Sequence, residues 1–291
     1  MGCWPSQATS TTLKGKSGRV VIFTFFLLPF AFSTGCALFR PASEAPFKQA
    51  TAEDLTALLR QREAAMRSMK GLFSAKVRGG FIPVTSRVEG AVYYRRPNAL
   101  RLRGFTPIGS ELFEFVQADN LYKLRLPTMG RVLTGRRSEM GEMGKLARPF
   151  QLSVWAMGGL IGTGMIEKGE TVRLEKDGDR YRLDVYAPAD GSTPGSVLAR
   201  RLWFDRRTLL VVKEDRLAAS GEVEATIQYE DFRPVDDPEP RLSSAKVTDP
   251  RLLRPFKISL EDGHGQGSVQ VTFHEIQSNR VIRAEDLGQV L

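Results

Sequence analysis

The chain has 291 residues, and 42% of them are hydrophobic, which is enough to bury a substantial core. Its formal net charge of +9 suits anionic lipid headgroups or nucleic acid, and an ordinary solvated basic surface would give the same value. The chain has only two cysteines and two histidines and contains no HExxH or G-x-S-x-G sequence, which excludes thiolate metal sites and serine-hydrolase sites of the usual kind.

The N-terminus is typical of an export signal. Basic residues precede the apolar stretch 20–32, which is short for a membrane span. Ser33, Thr34 and Gly35 then lead into Cys36, and this order resembles a bacterial lipobox, in which the signal is cut before the cysteine and the cysteine is acylated. We therefore predict a lipoprotein signal peptide over residues 1–35 and lipidation of Cys36.

Two alternatives remain open for this segment. The stretch could be an uncleaved membrane anchor or an ordinary signal peptide. The first six residues, from Met1 to Ser6, also match the pattern for N-myristoylation, although the apolar stretch behind them favours bacterial export.

A flexible tether between the lipid and the folded domain is predicted over residues 36–50. The segment contains Pro41 and Pro46 and has little periodicity. Ala37 rather than an aspartate follows Cys36, and this resembles the pattern of lipoproteins sent to the outer membrane. The globular domain is then predicted over residues 51–291, without a repeat or a second domain.

A helix is predicted directly after the tether. Thr51 is a suitable N-cap, with acidic residues in the first turn. Leu55, Leu59, Met66 and Met69 follow helical spacing, so the helix is predicted to continue until Gly71 ends it.

The stretch from Val88 to Val116 predicts three antiparallel strands. Residues alternate between apolar and polar with a period of two, and Pro97-Asn98 interrupts the alternation as a turn. Ile108 stands between Pro107 and Gly109 at the tip of the next turn, where an apolar residue is unusual. The third strand is apolar on both faces, so it must bury both faces or contact an apolar ligand.

Two more strands are predicted over residues 121–126 and 130–134. After them, the spacing of apolar residues changes to that of a helix. Residues 138–160 favour a helix that Pro149 splits into two pieces. Glycines from Gly158 onward predict a mobile exit. A plain core helix and a methionine-rich, adaptable covering helix are both open interpretations of this segment.

The second half of the chain predicts strands throughout. The alternation is clear over 180–185, 222–230, 256–261 and 269–274, with hairpin turns at 176–179 and 262–267. Residues 234–255 are a proline-rich excursion between strands. Neither histidine stands in a catalytic context, so we expect a protein that is not an enzyme and that needs no cofactor or metal.

Two motifs carry a resemblance to a known family. EGAVYYRRPN (residues 89–98) resembles the second strand and turn of the periplasmic lipoprotein carriers of the LolA/LolB family, and TPIGSELFEF (residues 106–115) resembles a turn of its outer-membrane receptors. The order of elements agrees over most of the chain after Thr51. The resemblance implies a mainly β fold with a few helices, in which a single curled antiparallel sheet forms an open half-barrel. An N-terminal helix packs on the sheet and a helical lid covers an apolar cavity.

The resemblance also implies roles for particular residues. Arg96, in the RPN motif, corresponds to an arginine that holds the lid closed. Ile108 corresponds to an exposed leucine that helps to insert cargo into the membrane, unless it folds back on Phe105. Residues of the covering helix would line the cavity or form its lid, namely Met140, Met143, Leu152 and Trp155.

The function implied is that of a lipid-anchored protein on the periplasmic face of the outer membrane, which binds lipoprotein acyl chains and inserts lipoproteins there. Moving each CH₂ group into water costs about 0.8 kcal/mol, so acyl chains need a protein cover in an aqueous compartment. The partners would be lipoprotein acyl chains or lipid, the membrane through Cys36, and a soluble LolA-like carrier, but not nucleic acid. The alternatives are a carrier of another lipid or glycolipid, and a structural envelope lipoprotein that binds protein partners.

Overall fold

The computed structural model describes residues 45–79, 82–136, 148–162, 166–167, 169–188, 195–235, 253–265 and 267–290. The compact unit to which they belong runs from Pro46 to Leu291. The predicted signal peptide and Cys36 lie outside the described residues, as do Met140 and Met143.

The unit is built on one sheet of thirteen antiparallel strands. The spatial order is β6-β5-β4-β3-β2-β1-β13-β12-β11-β10-β9-β8-β7, so β6 and β7 are free edges and the sheet is not closed. This agrees with the predicted mainly β fold on an open antiparallel sheet. The strands are β1 (Ser68–Gly79), β2 (Ile82–Arg95), β3 (Ala99–Phe105), β4 (Glu111–Ala118), β5 (Leu121–Leu126), β6 (Arg131–Arg136), β7 (Thr171–Asp177), β8 (Arg180–Pro188), β9 (Ser196–Asp205), β10 (Val211–Leu217), β11 (Val223–Pro234), β12 (Leu253–Asp262) and β13 (Gly267–Ser278).

The three strands predicted from the central motif are present as β2, β3 and β4. Val88, Val92 and Tyr94 of β2 are buried, whereas Tyr93 is half-buried and Arg95 is exposed on the opposite face. The alternation read from the sequence therefore gives the correct face of the strand.

Helix α1 (Ala52–Ala64) begins as predicted. The hydroxyl of Thr51 accepts a hydrogen bond from the backbone N–H of Asp54 at 3.2 Å, and the Asp54 carboxylate accepts one from the Thr51 N–H at 2.9 Å. This reciprocal capping box satisfies donors that the first helical turn leaves free.

The predicted end of α1 at Gly71 is wrong, because the helix ends at Ala64 and Gly71 lies inside β1. The cause is Asn279, whose side chain donates to the carbonyl of Ala65 at 3.0 Å and accepts from the N–H of Arg67 at 2.8 Å. A residue at the far end of the chain thus turns the backbone out of the helix and into the sheet.

Helix α2 (Arg148–Ile161) corrects one expectation. Pro149 lies in its first turn, where a missing N–H costs nothing, and the predicted helical piece before Pro149 lies outside the described residues. Gly158 and Gly159 lie within the helix, and the exit begins at Gly162, whose φ is +90°. Over residues 150–162 every side chain is buried or half-buried, which is typical of a helix enclosed by its surroundings.

Three strands, β7, β9 and β10, are not delimited by the sequence pattern. Their alternation is obscured by charged residues that the fold buries as pairs. Arg200 of β9 contacts Glu170 at 2.8 Å, and Glu214 of β10 contacts Arg216 at 2.9 Å. Helix α3 (Ala284–Leu287), a single turn near the C-terminus, was not foreseen either.

The buried side chains form two cores. The larger core joins α2 to β1–β5 and β11–β13. The smaller core joins Leu55 and Leu59 of α1 to the inner faces of β8 and β9, which contribute Tyr181, Leu183, Val185, Leu202 and Phe204.

Candidate functional site

An apolar cavity of about 120 Å³ lies between α2 and the strands β1–β4 and β13. For comparison, an engineered apolar cavity of about 150 Å³ stays dry and binds benzene. Two serines contribute to an otherwise apolar wall. The lining residues are Phe73, Ala75, Val77, Ser86, Val88, Leu102, Leu112, Phe113, Phe150, Ser153, Met157, Val269 and Val271.

Two paired glycines shape one wall of this cavity. Gly90 of β2 lies opposite Gly104 of β3. A Cβ atom on Gly90 would lie 2.2 Å from the ring of Phe73, and one on Gly104 would lie 2.2 Å from the ring of Phe113. Both rings therefore occupy space over backbone that only glycine leaves free. Gly90 is the glycine of the EGAVYYRRPN motif.

The described part of α2 lines the cavity with Phe150, Ser153 and Met157, whereas Met140 and Met143 lie outside the described residues. Phe150 packs edge-on against Phe113, with ring centroids 5.0 Å apart, and Met157 lies about two turns further along the same face of the helix. Leu152 is buried in the larger core, and Trp155 stacks on the guanidinium of Arg216 at 4.9 Å. The sequence identified the helix, but the rotation of the helix about its axis selects which side chains reach the cavity.

A buried cluster of polar side chains, which we call the polar node, lies where the two cores meet. It consists of Arg62 of α1, Glu214 and Arg216 of β10, and Tyr229 of β11. Glu214 accepts a hydrogen bond from the Tyr229 hydroxyl at 3.0 Å and forms an ion pair with Arg216 at 2.9 Å. Burial, then the charge of Glu214, raises the pKa of Tyr229 well above its ordinary value, so Tyr229 remains a donor.

The polar node also holds α2 in place. The hydroxyl of Tyr229 lies 1.9 Å from where a Cβ on Gly159 would stand, so the helix approaches the sheet there through a glycine. Trp155, one turn earlier, rests on Arg216. The second half of α2 is therefore fixed by two separate contacts, whereas its first half contributes Phe150 and Ser153 to the cavity wall.

Arg62 of the polar node and the neighbouring Arg254 are both buried arginines. Arg62 donates to the carbonyl of Leu253 at 3.2 Å, and Arg254 donates to the carbonyl of Arg62 at 2.9 Å. Burial lowers the pKa of Arg62 to about 10, and burial together with the charge of Arg62 lowers the pKa of Arg254 to about 9. Both side chains stay charged at neutral pH.

Arg96 lies at the turn between β2 and β3, close to the end of α1. Its guanidinium is 3.7 Å from the carboxylate of Glu63, whose pKa is raised by burial and lowered by Arg96 to a smaller extent. This places Arg96 against α1, whereas α2 is the helix that covers the cavity. A contact between Arg96 and the segment before α2 stays a prediction, because residues 137–147 lie outside the described residues.

Ile108 is 90% exposed at the tip of the turn between β3 and β4. The turn is held by hydrogen bonds from the Gly109 N–H to the Thr106 carbonyl at 2.9 Å and from the Thr106 N–H to the Ser110 carbonyl at 2.8 Å. Ile108 does not fold back on Phe105, whose ring instead contacts the guanidinium of Arg103 at 4.9 Å. The turn therefore presents the isoleucine to solvent.

Among the described residues, no helix is long and apolar enough to span a membrane. Nor does that part of the chain contain a group of three or more His, Cys, Asp or Glu side chains placed to hold a metal ion.

Comparison with solved structures defines the class of fold. A LolA superfamily protein from Nitrosomonas europaea matches 83% of this chain and 99% of its own, with a TM-score of 0.50 at 11% identity. A DUF1329 family protein from Desulfovibrio piger matches 82% of this chain and 100% of its own, with a TM-score of 0.52 at 7% identity. The chain thus has a LolA/LolB-like fold, as its two motifs predicted. No protein-family model and no curated protein sequence matches it.

Proposed function

We propose that this protein is a lipid-anchored envelope lipoprotein that binds acyl chains and acts in lipoprotein localisation at the outer membrane. The observation that carries the proposal is the apolar cavity under α2. It is bounded by Phe113, Phe150 and Met157, side chains that suit hydrocarbon and offer almost no polar partner.

The size of the cavity restricts how it can be used. A volume of about 120 Å³ accepts a fragment no larger than a small ring, not the several chains of an acylated cysteine. Binding whole chains therefore requires the first half of α2 to move away from β4, with Phe150 leaving the sheet and Met157 adapting its side chain. Methionine suits such a surface because it is flexible and adapts to different apolar partners.

The other parts of the proposal concern the membrane. Lipidation of Cys36 would hold the protein at the outer membrane, and the exposed Ile108 would enter the acyl layer when cargo is delivered. A single isoleucine contributes only about 1.5–3 kcal/mol on full burial, so Ile108 cannot replace the lipid anchor. A soluble LolA-like carrier would supply the cargo.

Native mass spectrometry of the compact unit, residues 46–291, purified from a bacterial periplasm, tests the cavity. Bound acylated lipoprotein peptides support a role in lipoprotein localisation. A free lipid or glycolipid would instead support the alternative that the protein carries another lipid. An empty cavity in every preparation would contradict acyl binding and would support the alternative that the protein is a structural envelope lipoprotein.

Lipidation is tested separately in the full chain. We expect Cys36→Ala to abolish incorporation of labelled palmitate and to remove the protein from the outer-membrane fraction, with Cys3→Ala as the control. Palmitate incorporation that persists in Cys36→Ala would exclude the proposed anchor.

A further inference from the structure

Two turns at the same end of the sheet present apolar side chains to solvent. One is the β3–β4 turn, which carries Ile108, and the other is the β5–β6 turn Pro127–Gly130, which carries Met129. Strands β3 and β5 both run towards this end. Neighbouring strands lie about 4.8 Å apart, so the two tips are on the order of 10 Å apart. We call Ile108, Met129, Arg131 and Val132 the turn rim.

The two turns are built in a similar way. Each contains a proline, Pro107 or Pro127, and a glycine in the left-handed region, Gly109 at φ +91° or Gly130 at φ +61°. Each glycine N–H donates back across its turn, from Gly130 to the Pro127 carbonyl at 3.1 Å in the second case. Met129 is 41% exposed and Val132 is 56% exposed. The backbone therefore holds these side chains in solvent.

The cavity lies near the same end of the sheet. Leu112 and Phe113 line the cavity and follow the β3–β4 turn directly. Val77 and Ser86 also line it, and they lie near the end of β1 and the start of β2 at this side. An acyl chain leaving the cavity past Phe113 would therefore emerge beside the turn rim.

The charges near the turn rim favour an anionic partner. Glu111 contacts Arg103 and Arg125, and Glu114 contacts Arg101 and Arg125. The carboxylates of β4 are thus already neutralised by arginines. Arg131 is exposed between Met129 and Val132, which adds positive charge next to apolar side chains. Cationic side chains beside exposed apolar ones are characteristic of surfaces that bind anionic membranes.

We propose that the turn rim is a bilayer-contact surface with two points of insertion, in which Met129 and Val132 enter the acyl layer together with Ile108 and Arg131 binds anionic headgroups. The inference rests on the proposed function, since it assigns the place at which cargo would leave the cavity. It extends that function from one apolar residue to a surface with a defined lipid preference.

Fluorescence of single-cysteine variants tests the contact. The lipidated protein, in which acylation blocks the Cys36 thiol, is labelled with an environment-sensitive NBD group at Ile108→Cys, Met129→Cys or Val281→Cys and reconstituted into vesicles containing one quarter phosphatidylglycerol. Val281 is the matched control because it is 94% exposed at the opposite end of the sheet. We expect blue-shifted, brightened emission at positions 108 and 129 and aqueous emission at 281. Aqueous emission at 129 would overturn the proposal.

The charge preference is tested with a second pair of variants. Arg131→Glu should weaken the NBD signal at position 129 in phosphatidylglycerol vesicles by about fivefold, the effect typical of one basic residue near an anionic surface. Arg136→Glu, at the far end of the same strand, should leave it unchanged. Equal signals for both variants, or equal signals in purely zwitterionic vesicles, would refute headgroup binding by Arg131.

These results can be separated from a failure of the proposed function. If mass spectrometry finds acyl chains in the compact unit while position 129 stays aqueous, the turn rim is wrong and acyl binding stands. If position 129 enters the bilayer while the cavity is always empty, the contact surface stands without acyl carriage.

Discussion

Helices α1 and α2 pack on the same sheet, but α1 packs closely and α2 leaves a cavity. Helix α1 packs leucines on β8 and β9, keeps a polar face in water, and leaves a space of only about 20 Å³ beside it. Helix α2 is enclosed along its described length, yet it leaves a cavity of about 120 Å³ against β1–β4. Enclosure of a helix therefore does not ensure close packing.

The difference comes from the side chains that meet. On the α1 side, Leu55 and Leu59 fill the space between short aliphatic and aromatic residues of two strands. On the α2 side, the rings of Phe73 and Phe113 lie down over glycines, and the floor of the space behind them is Ala75 and small aliphatic residues. Aromatic rings packed over glycines and small aliphatic side chains leave a void, and the hydrophobic effect alone does not remove it.

The largest expected effect comes from breaking the polar node that joins the two regions. Arg216→Met leaves the carboxylate of Glu214, which is 2% exposed, without its cation. Breaking a buried pair in this way costs about 3–5 kcal/mol of unfolding free energy. Urea denaturation measures the loss. Arg233→Met, which removes an exposed pair with Asp231, should cost less than about 1 kcal/mol. Similar losses for the two variants would show that the polar node is not structural.

Truncation in each core sharpens the comparison. Leu55→Ala on the α1 side should cost about 2–5 kcal/mol, because the closely packed site cannot collapse. Met157→Ala on the α2 side should fall at the lower end of that range, since Met157 already borders empty space. The measurement is the urea midpoint at constant slope for both variants. A larger loss for Met157→Ala would mean that the cavity is filled in solution.

Filling the cavity should separate stability from binding. Ala75→Leu adds volume where the cavity lies, so we expect unfolding free energy to change by less than about 1 kcal/mol while acyl-chain binding falls. Ala225→Leu, in the same core but outside the cavity lining, should cost about 1–3 kcal/mol through overpacking. Thermal unfolding and a fluorescent fatty-acid assay give the two readouts. Unchanged binding by folded Ala75→Leu would remove the cavity from the proposed function.

The smallest effect on stability is expected at Ile108. Ile108→Glu changes a side chain that packs on nothing, so the melting temperature and acyl binding should match those of the unchanged protein. Transfer of acylated cargo into liposomes should be slower. Equal transfer rates would exclude Ile108 from delivery, and a large drop in melting temperature would show that it is a core residue in solution.

Much of the fold could be predicted because its signals are local. Strands β2, β3 and β5 show clear alternation, and Thr51 and Asp54 mark the start of α1 within four residues. The end of α1 depends on Asn279, and the strands β9 and β10 hide their alternation behind buried charges such as Glu214. Such contacts join residues far apart in sequence, and a pattern along the chain does not contain them.

The candidate site was predicted less completely. The exposed position of Ile108 followed from Pro107 and Gly109, and the covering helix followed from its change of period. The cavity lining did not, because it depends on which face of α2 meets β4 and on ring positions over Gly90 and Gly104. The exposure of Met129 was not predicted, although its turn also combines a proline, Pro127, with a glycine, Gly130.

The anchoring of the N-terminal segment has a consequence for orientation at a membrane. The ring of Phe47 lies 4.4 Å from the guanidinium groups of both Arg206 and Arg207, and Lys48 donates to the Arg206 carbonyl at 2.8 Å. This contact lies at the end of the sheet opposite the turn rim. The chain from Cys36 to Phe47 spans at most about 40 Å when fully extended, and β1, with 12 residues, spans about the same distance.

The maximum length of the extended tether is therefore about equal to the length of the strands. If Cys36 is lipidated as proposed, the turn rim meets the bilayer only when the tether runs fully extended beside the strands or when the domain lies along the surface. The length of the strands then determines the minimum length of the tether, and deletions within residues 37–44 would leave the flat orientation as the way for the turn rim to contact the bilayer.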